Sequence, residues 1–342
     1  MDDAQAPPQG SPDAFCALRE LPGAPINLST VFGGSDIGAE VDIRKHYDDI
    51  RQTHRTTRSD TEVSCVKNLH NWIKSVLIRT YAFPLCKVLD LGCGKGGDLL
   101  KWGKVNISKY VGLDISSQAI HDAIERYKGR SADTRKPQTI QHRSEKFEAD
   151  FICHDFCHPL PQFKSVLHGF DLCSCQFALH YAFESELRAN TFFHNISSNL
   201  VDGGIFIATF PDEDVILKRL LRGTGTQFGN SLYSIQFHGS DKKSVISQYK
   251  QKDFGLKYNF SLCSAIYDCP EYVVHKSLLQ KLCNEHNFTL IAVYPFQQIL
   301  KEQKQKHKQL YKKMNVSNYI PPEQFAVSQL YCAAIFRKNY QF

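Results

Sequence analysis

The chain has 342 residues, 42% of them apolar and 22% charged, with 41 Lys plus Arg against 35 Asp plus Glu and a net charge of +6. That balance is globular rather than disordered, and it permits a polyanionic partner without proving one. No apolar run approaches the roughly 18 residues that span a bilayer, and the opening MDDAQAPPQG is acidic and proline-rich, unlike a signal peptide, so a membrane role is not expected. Without a secretion signal, the twelve cysteines read as free thiols of a reducing compartment.

Residues 1–40 are rich in Pro, Gly, Ala and Ser without a sustained period, which predicts a weakly ordered tail, with order beginning near Val41. Val63, Val66, Leu69, Ile73, Val76 and Leu77 recur at three- and four-residue steps, predicting an amphipathic helix over 63–81 with Trp72 on its flank and Pro84 as its stop. The run KVLDL at 87–91 reads as a buried parallel strand that ends in a glycine-rich turn. A helix from Gly97, a strand over 109–115, a helix over 117–127 and a polar loop over 128–146 follow. Strands are predicted over 149–154, 170–176 and 205–210, with a helix over 184–199 between the last two and a turn at Asp202-Gly203-Gly204. This alternation calls for a parallel sheet with helices on both faces.

Past Pro211 the rhythm changes. The Gly/Ser-rich stretch 224–268 interleaves Phe228, Tyr233, Phe237, Tyr258 and Phe260, which predicts short antiparallel strands inserted into the main domain. A helix over 272–287 and a strand over 290–294 come next. The segment 301–313 holds six lysines and His307, read either as a solvated helix or as one with an RNA-facing or nuclear-import role. A strand over 329–336 closes the sheet. The expected fold class is α/β: a Rossmann-like seven-stranded sheet over residues 41–342 with a small antiparallel β/helical insertion.

The most informative stretch is VLDLGCGKGGDLLKW at 88–102. Gly92, Gly94 and Gly97 alone form a weak G-x-G-x-x-G that would also suit a dinucleotide. Asp90, two residues before the first glycine, and Gly96 turn it into the form used for S-adenosylmethionine (SAM), whose amino-acid end must pass close to backbone. Asp114 ends the next strand, where a carboxylate can accept both ribose hydroxyls. Asp155 follows a later strand and can accept from an adenine amino group. Gln176 ends the central strand at the crevice where open α/β sheets bind ligands. CHDFCH at 153–158 matches no common zinc spacing, so no metal is expected.

At these residues the chain resembles the eukaryotic mRNA cap guanine-N7 methyltransferases. HNWIKSVLI, LDLGCGKGGDLLKW, CPEYVV and SQLYCAAIF carry the resemblance, and FDLCSCQFALHYAFES at 170–185 is its most distinctive block. The resemblance implies methyl transfer from SAM to N7 of the cap guanine. It implies that Lys74 holds the SAM carboxylate and that Gly92, Asp114, Asp155, Gln176 and Tyr181 line the cofactor site. For the cap it points to His70 and Asn71, to Lys95, Lys101 and Arg126 near the phosphates, and to His180, Glu271 and Tyr331 around the guanine with Phe177 and Pro211 as walls. It further implies capped pre-mRNA, other capping enzymes and the transcription machinery as partners, and a nuclear location. One departure is Gln324-Phe325-Ala326, where the family usually has Glu-Trp-Glu.

Guanine N7 is a lone-pair nucleophile, so no general base is nominated; His180, Tyr181 and Glu271 are expected to position the base. Lys95, Lys101 and Arg126 are expected on helix starts beside the crevice, and Glu271, after Pro270, at the start of a helix. The alternatives are a SAM methyltransferase with another substrate, or a non-catalytic cap-binding or scaffold protein descended from such an enzyme. Erosion of the glycine turn or of Asp114 would mark the latter, and neither is eroded.

Overall fold

The computed structural model describes residues 63–129 and 147–340, except 162, 164, 165, 167 and 264. The tail over 1–40, the onset of order near Val41 and most of the 128–146 loop lie outside these residues.

Helix α1 (Ser64–Tyr81) buries Val66, Leu69, Trp72, Ile73, Val76 and Leu77, the stripe read from the sequence, and leaves helical geometry at Ala82, two residues before Pro84. Next come β1 (Lys87–Leu91), α2 (Leu99–Val105), β2 (Lys109–Asp114), α3 (Ser117–Tyr127), β3 (Glu148–Cys153) and β4 (Phe170–Gln176). A 3-10 turn, Leu179–Glu184, separates β4 from α4 (Glu186–Asn199), and β5 is Leu200–Pro211. The helix expected over 184–199 thus begins later, because the Ser185 hydroxyl caps it by accepting from the Arg188 N–H at 3.3 Å. The turn expected at Asp202-Gly203-Gly204 is absorbed into β5, where the register against β4 shifts between Phe170 and Leu172.

After α5 (Glu213–Arg222) come β6 (Gln227–Gly229), β7 (Tyr233–Phe237), α6 (Lys242–Gln251), β8 (Lys257–Leu262) and β9 (Ile266–Tyr272). These four strands form a separate antiparallel sheet in the order β6-β7-β8-β9. The insertion is thus β/helical as expected, with α6 between its second and third strands, and its last strand runs to Tyr272. The helix expected over 272–287 is α7 (Lys276–Glu285). The chain closes with β10 (Phe288–Pro295), α8 (Phe296–Gln303), α9 (Lys308–Lys313), α10 (Pro322–Ser328) and β11 (Tyr331–Lys338). The lysine-rich stretch forms two short helices rather than one.

The main sheet has the order β10-β11-β5-β4-β1-β2-β3. Strands β1 to β5 are parallel, and β11 is antiparallel to both β5 and β10. Strand order reverses between β1 and β4, which opens a crevice at their carboxyl ends. Both faces are covered: Val88 of β1 packs in the cluster of Trp72 and Trp102, while Leu89 and Leu91 pack in that of Phe192 and Phe206. This explains why β1 reads as an unbroken apolar run.

Trp72 is fully buried, edge-on to Tyr311 at 5.3 Å, and its indole N–H has no hydrogen-bond partner among the described residues. Trp72→Ala should lower the unfolding free energy by about 3–5 kcal/mol in urea titrations. Trp72→Phe, which keeps one aromatic ring and leaves a smaller cavity, should cost clearly less.

Candidate active site

The crevice begins at the glycine turn after β1. Gly92, Gly94 and Gly96 all have positive φ, and a Cβ on Gly92 would lie 2.8 Å from the Ala178 Cβ. The turn thus admits only glycine where it passes the start of the 3-10 turn. Asp114, at the end of β2, is oriented by two backbone N–H groups: Gly94 donates to Oδ2 at 2.7 Å and Ser116 to Oδ1 at 3.0 Å. Its carboxylate faces a cavity of about 310 Å³ lined also by Gly92, Gly94, Asp155, Gln176 and Tyr181. Ile115, Ala119, Phe156 and Ala178 give that cavity apolar walls.

Five of the six residues expected around the cofactor therefore meet at one cavity. Asp155 is buried there, accepting from the Cys157 N–H at 2.8 Å and pairing with Arg188 at 2.9 Å. Gln176 accepts from the Thr209 hydroxyl and donates to Ser174, both at 3.2 Å. Asp90 does not line the cavity. It is buried under the turn with the Tyr110 hydroxyl donating to it at 2.9 Å, and burial, reinforced by the Asp98 charge, pushes its carboxyl up to about 7.

Lys74, the sixth, belongs to a charged cluster beside the cavity. Its Nζ donates to Asp98 Oδ2 at 2.9 Å, and Lys101 reaches Asp98 Oδ1 at 2.6 Å and Asn71 Oδ1 at 3.1 Å. Burial alone would raise the Asp98 carboxyl; Lys74 and Lys101 outweigh it and hold it at about 2. The same Lys74 Nζ lies 5.9 Å over the Phe177 ring. An ammonium and a carboxylate side by side offer the opposite charges an amino-acid zwitterion needs, and the apolar cavity with its carboxylates suits a nucleoside. Asp114, Asp155, Lys74 and Asp98 could together hold SAM.

An aromatic cluster that shares Phe177 with the cavity is the candidate for a second pocket. The Phe177 ring stacks on His70 at 5.3 Å and stands edge-on to Tyr331 at 5.0 Å and Phe296 at 5.9 Å. Pro211 pairs with Tyr331 across β5 and β11. His180 lies 4.2 Å, ring to ring, from Tyr181 and 3.7 Å from Glu271, too far for a hydrogen bond. Glu271 is not at a helix start: it sits in β9, opposite Tyr258 in β8, and the Tyr258 hydroxyl donates to its Oε2 at 2.8 Å. Burial pushes the Glu271 carboxyl up to about 8, with Tyr258 acting against the rise, and burial pulls the His180 imidazole down to about 3. Both His180 ring nitrogens are buried without a hydrogen-bond partner among the described residues.

The expected cationic rim is only partly assembled. Lys101 stands in the first turn of α2, but Lys95 is on the glycine turn and reaches toward Asp122 at 3.8 Å. Arg126 is in the last turn of α3 rather than at a helix start, four residues beyond Asp122. Among the described residues, no three His, Cys, Asp or Glu converge as metal ligands, and the CHDFCH segment does not form such a group. Sequence reasoning missed Asp98, Arg188, Tyr258 and Phe296. Asp98 could have been suspected from its place in the glycine turn; Tyr258 meets Glu271 only through strand register, which has no local trace.

Compared with known proteins, residues 34–339 match the sequence profile of the mRNA (guanine-N(7))-methyltransferase domain. The chain belongs to that family. The mRNA cap guanine-N(7) methyltransferase 1 of Oryza sativa subsp. japonica is 38% identical over 314 residues, 87% of this chain and 81% of that one. Its Arabidopsis thaliana namesake is 40% identical over 254 residues, covering 73% and 66%. The mRNA cap guanine-N(7) methyltransferase of Schizosaccharomyces pombe is 35% identical over 271 residues, covering 77% and 70%. Among solved structures, the CcbJ methyltransferase of Streptomyces caelestis is 12% identical with a TM-score of 0.51, covering 90% of this chain and 100% of that one, a likeness of fold alone. Within the family fold, the Lys74–Asp98–Lys101 cluster is the most tightly coupled charge group of the crevice. Asp98→Ala should cost about 3–5 kcal/mol of unfolding free energy, because two nearly buried ammonium groups lose their counter-charge. Adding Lys74→Met to Asp98→Ala should recover part of that loss in the same urea titration.

Proposed function

We propose that the chain transfers the methyl group of SAM to N7 of the terminal guanosine of GpppN-capped mRNA, completing the cap 0 structure. The observation that carries this reading is the shared wall: Phe177 lines the Asp114 cavity and also packs in the aromatic cluster with His70 and Tyr331. Two ligands that border the same residue lie next to each other, so the methyl and the guanine N7 can be brought within reach. Family membership over residues 34–339 supports the same reaction.

SAM, when bound, supplies a methyl already activated by the sulfonium. The residues bind and orient. Asp114, fixed by two N–H groups, takes the ribose hydroxyls, and Asp155, braced by Arg188, accepts from the adenine amino group. Lys74 takes the α-carboxylate and Asp98 the α-ammonium. Gln176 and Tyr181 close the cavity toward the second pocket. There Phe177, Pro211 and Tyr331 enclose the guanine, and Glu271 accepts from its N1–H and amino group. Adenine is rejected because its N1 lone pair would face that carboxylate. His180, neutral at pH 7, can donate to the guanine O6. His70, Asn71, Lys95, Lys101 and Arg126 serve the cap and its phosphates, Lys95 and Arg126 from the glycine turn and the end of α3. Capped pre-mRNA as partner, contacts with other capping enzymes or the transcription machinery, and a nuclear location belong to this reading.

The direct test is to incubate the protein with labelled SAM and GpppG-capped RNA, digest, and identify the product. Labelled 7-methylguanosine is expected; label at any other position, or none with SAM still bound, would defeat the reading. A second outcome follows from Glu271. In the free enzyme its carboxyl is protonated below about pH 8, so it must lose a proton before it can accept both guanine hydrogens. The kcat/KM for capped RNA should rise with pH and level off above about pH 8. Glu271→Gln should abolish that rise and lower the plateau by at least about tenfold, roughly 1.4 kcal/mol, with SAM affinity unchanged in calorimetry.

A further inference from the structure

Charge on this chain is concentrated in one place. Residues 296–316 carry six lysines and one acidic residue, Glu302, a net +5 out of the chain's +6. Elsewhere many lysines are spent on local partners: Lys74 and Lys101 on Asp98, Lys109 on Glu148 and Asp150, and Lys276 on Asp212 and Asp214. Among the described residues, none of the six lysines of α8, α9 and their connection forms an ion pair, and Lys301, Lys306, Lys308, Lys312 and Lys313 are exposed. Lys304 lies over the Tyr311 ring at 4.7 Å.

Both helices are anchored. Phe296 and Ile299 bury the inner side of α8, and Leu310 and Tyr311 bury that of α9, with Tyr311 against Trp72 of α1. The lysines are therefore held on a rigid body, so less freedom is lost when an anion binds than on a loose tail. Arg79, exposed on α1, adjoins the same face: burial first, then the Arg79 and Lys306 charges, push the His307 imidazole below its usual range.

The element that carries the first of these lysines also touches the aromatic cluster. Phe296, the first residue of α8, contacts the rings of His70, Phe177 and Tyr331. Lys301 follows it by five residues, about 7.5 Å of helical rise. A chain leaving the pocket along α8 meets positive charge at once.

We propose that this lysine face is the track for the RNA body, binding the phosphates of nucleotides downstream of the cap while the aromatic pocket holds the base. The proposal rests on the cap-methylation reading and adds to it a second, sequence-independent binding surface. Neutral lysine variants suit the test, since the exposed side chains carry no folding contacts. The full chain with Lys306→Gln, Lys308→Gln, Lys312→Gln and Lys313→Gln should be compared with the unaltered chain on the dinucleotide GpppG and on a capped 20-mer, across a salt series. The unaltered chain should favour the 20-mer, with kcat/KM falling steeply as salt rises. The variant should keep its GpppG rate within about twofold, lose at least about tenfold on the 20-mer at low salt, and show a log–log salt slope shallower by roughly 2–3. A variant that retains the 20-mer advantage overturns the proposal and leaves the face to an acidic protein. Equal losses on both substrates also overturn it, since the effect would then be on the pocket or the fold. Failure of the unaltered chain to methylate GpppG would instead count against the cap-methylation reading itself.

Discussion

One backbone conformation ties the two pockets together. Phe177 leaves β4 with φ of +60°, a left-handed geometry that costs a residue with a Cβ about 1–3 kcal/mol. Its N–H is held by Thr209 of β5, whose carbonyl and hydroxyl oxygens both lie at 2.9 Å. Gln176 and Thr209 are register partners, so the clamp is a by-product of the pairing of the two central strands. Released from it, the chain could relax to an extended exit, and the ring would no longer border both the Asp114 cavity and the His70–Tyr331 cluster. The strain thus sits where two ligands must be brought together and is held by the sheet around it.

The electrostatics of the two sides differ in kind. Around the glycine turn, charges are already paired: Asp98 between two lysines, Asp155 against Arg188, Asp114 on backbone N–H groups. A zwitterionic nucleoside exchanges one set of partners for another at little desolvation cost. Around Glu271 and His180, burial keeps both groups neutral until a ligand arrives. Under the proposed function a guanine edge supplies the donors that stabilise the carboxylate, so ionisation there is coupled to recognition. Under the proposed reading the first side is preorganised, while the second is switched on by its own substrate.

The parts of this site that the sequence disclosed are those written in local geometry. The glycine turn, Asp114 and Gln176 each sit at the end of an apolar strand, and strand ends are where apolar runs stop. Glu271, which the resemblance points to beside the guanine, was read onto the wrong element. Pro270 suggested a helix start, whereas the apolar stripe of α7 begins only after Lys276, and β9 is specified by pairing with β8. Tyr258, thirteen residues away, is its partner only because the strands are antiparallel in that register. The lysine helix broke in two because Leu310 and Tyr311 must turn back onto Trp72, a tertiary demand that spacing alone does not reveal. Arg126 shows the converse: its side chain type suited a phosphate rim, but helix length sets where it lies.

The shared wall is the central claim, and a crystal structure of the chain with S-adenosylhomocysteine and GpppG tests it most directly. The account predicts the adenosine in the Asp114 cavity, the guanine between Phe177 and Tyr331 with its N1 edge on Glu271, and the sulfur pointing at N7 past Phe177 and Tyr181. A guanine seated outside the aromatic pocket, or bound in it with N7 turned away from the sulfur, would contradict it.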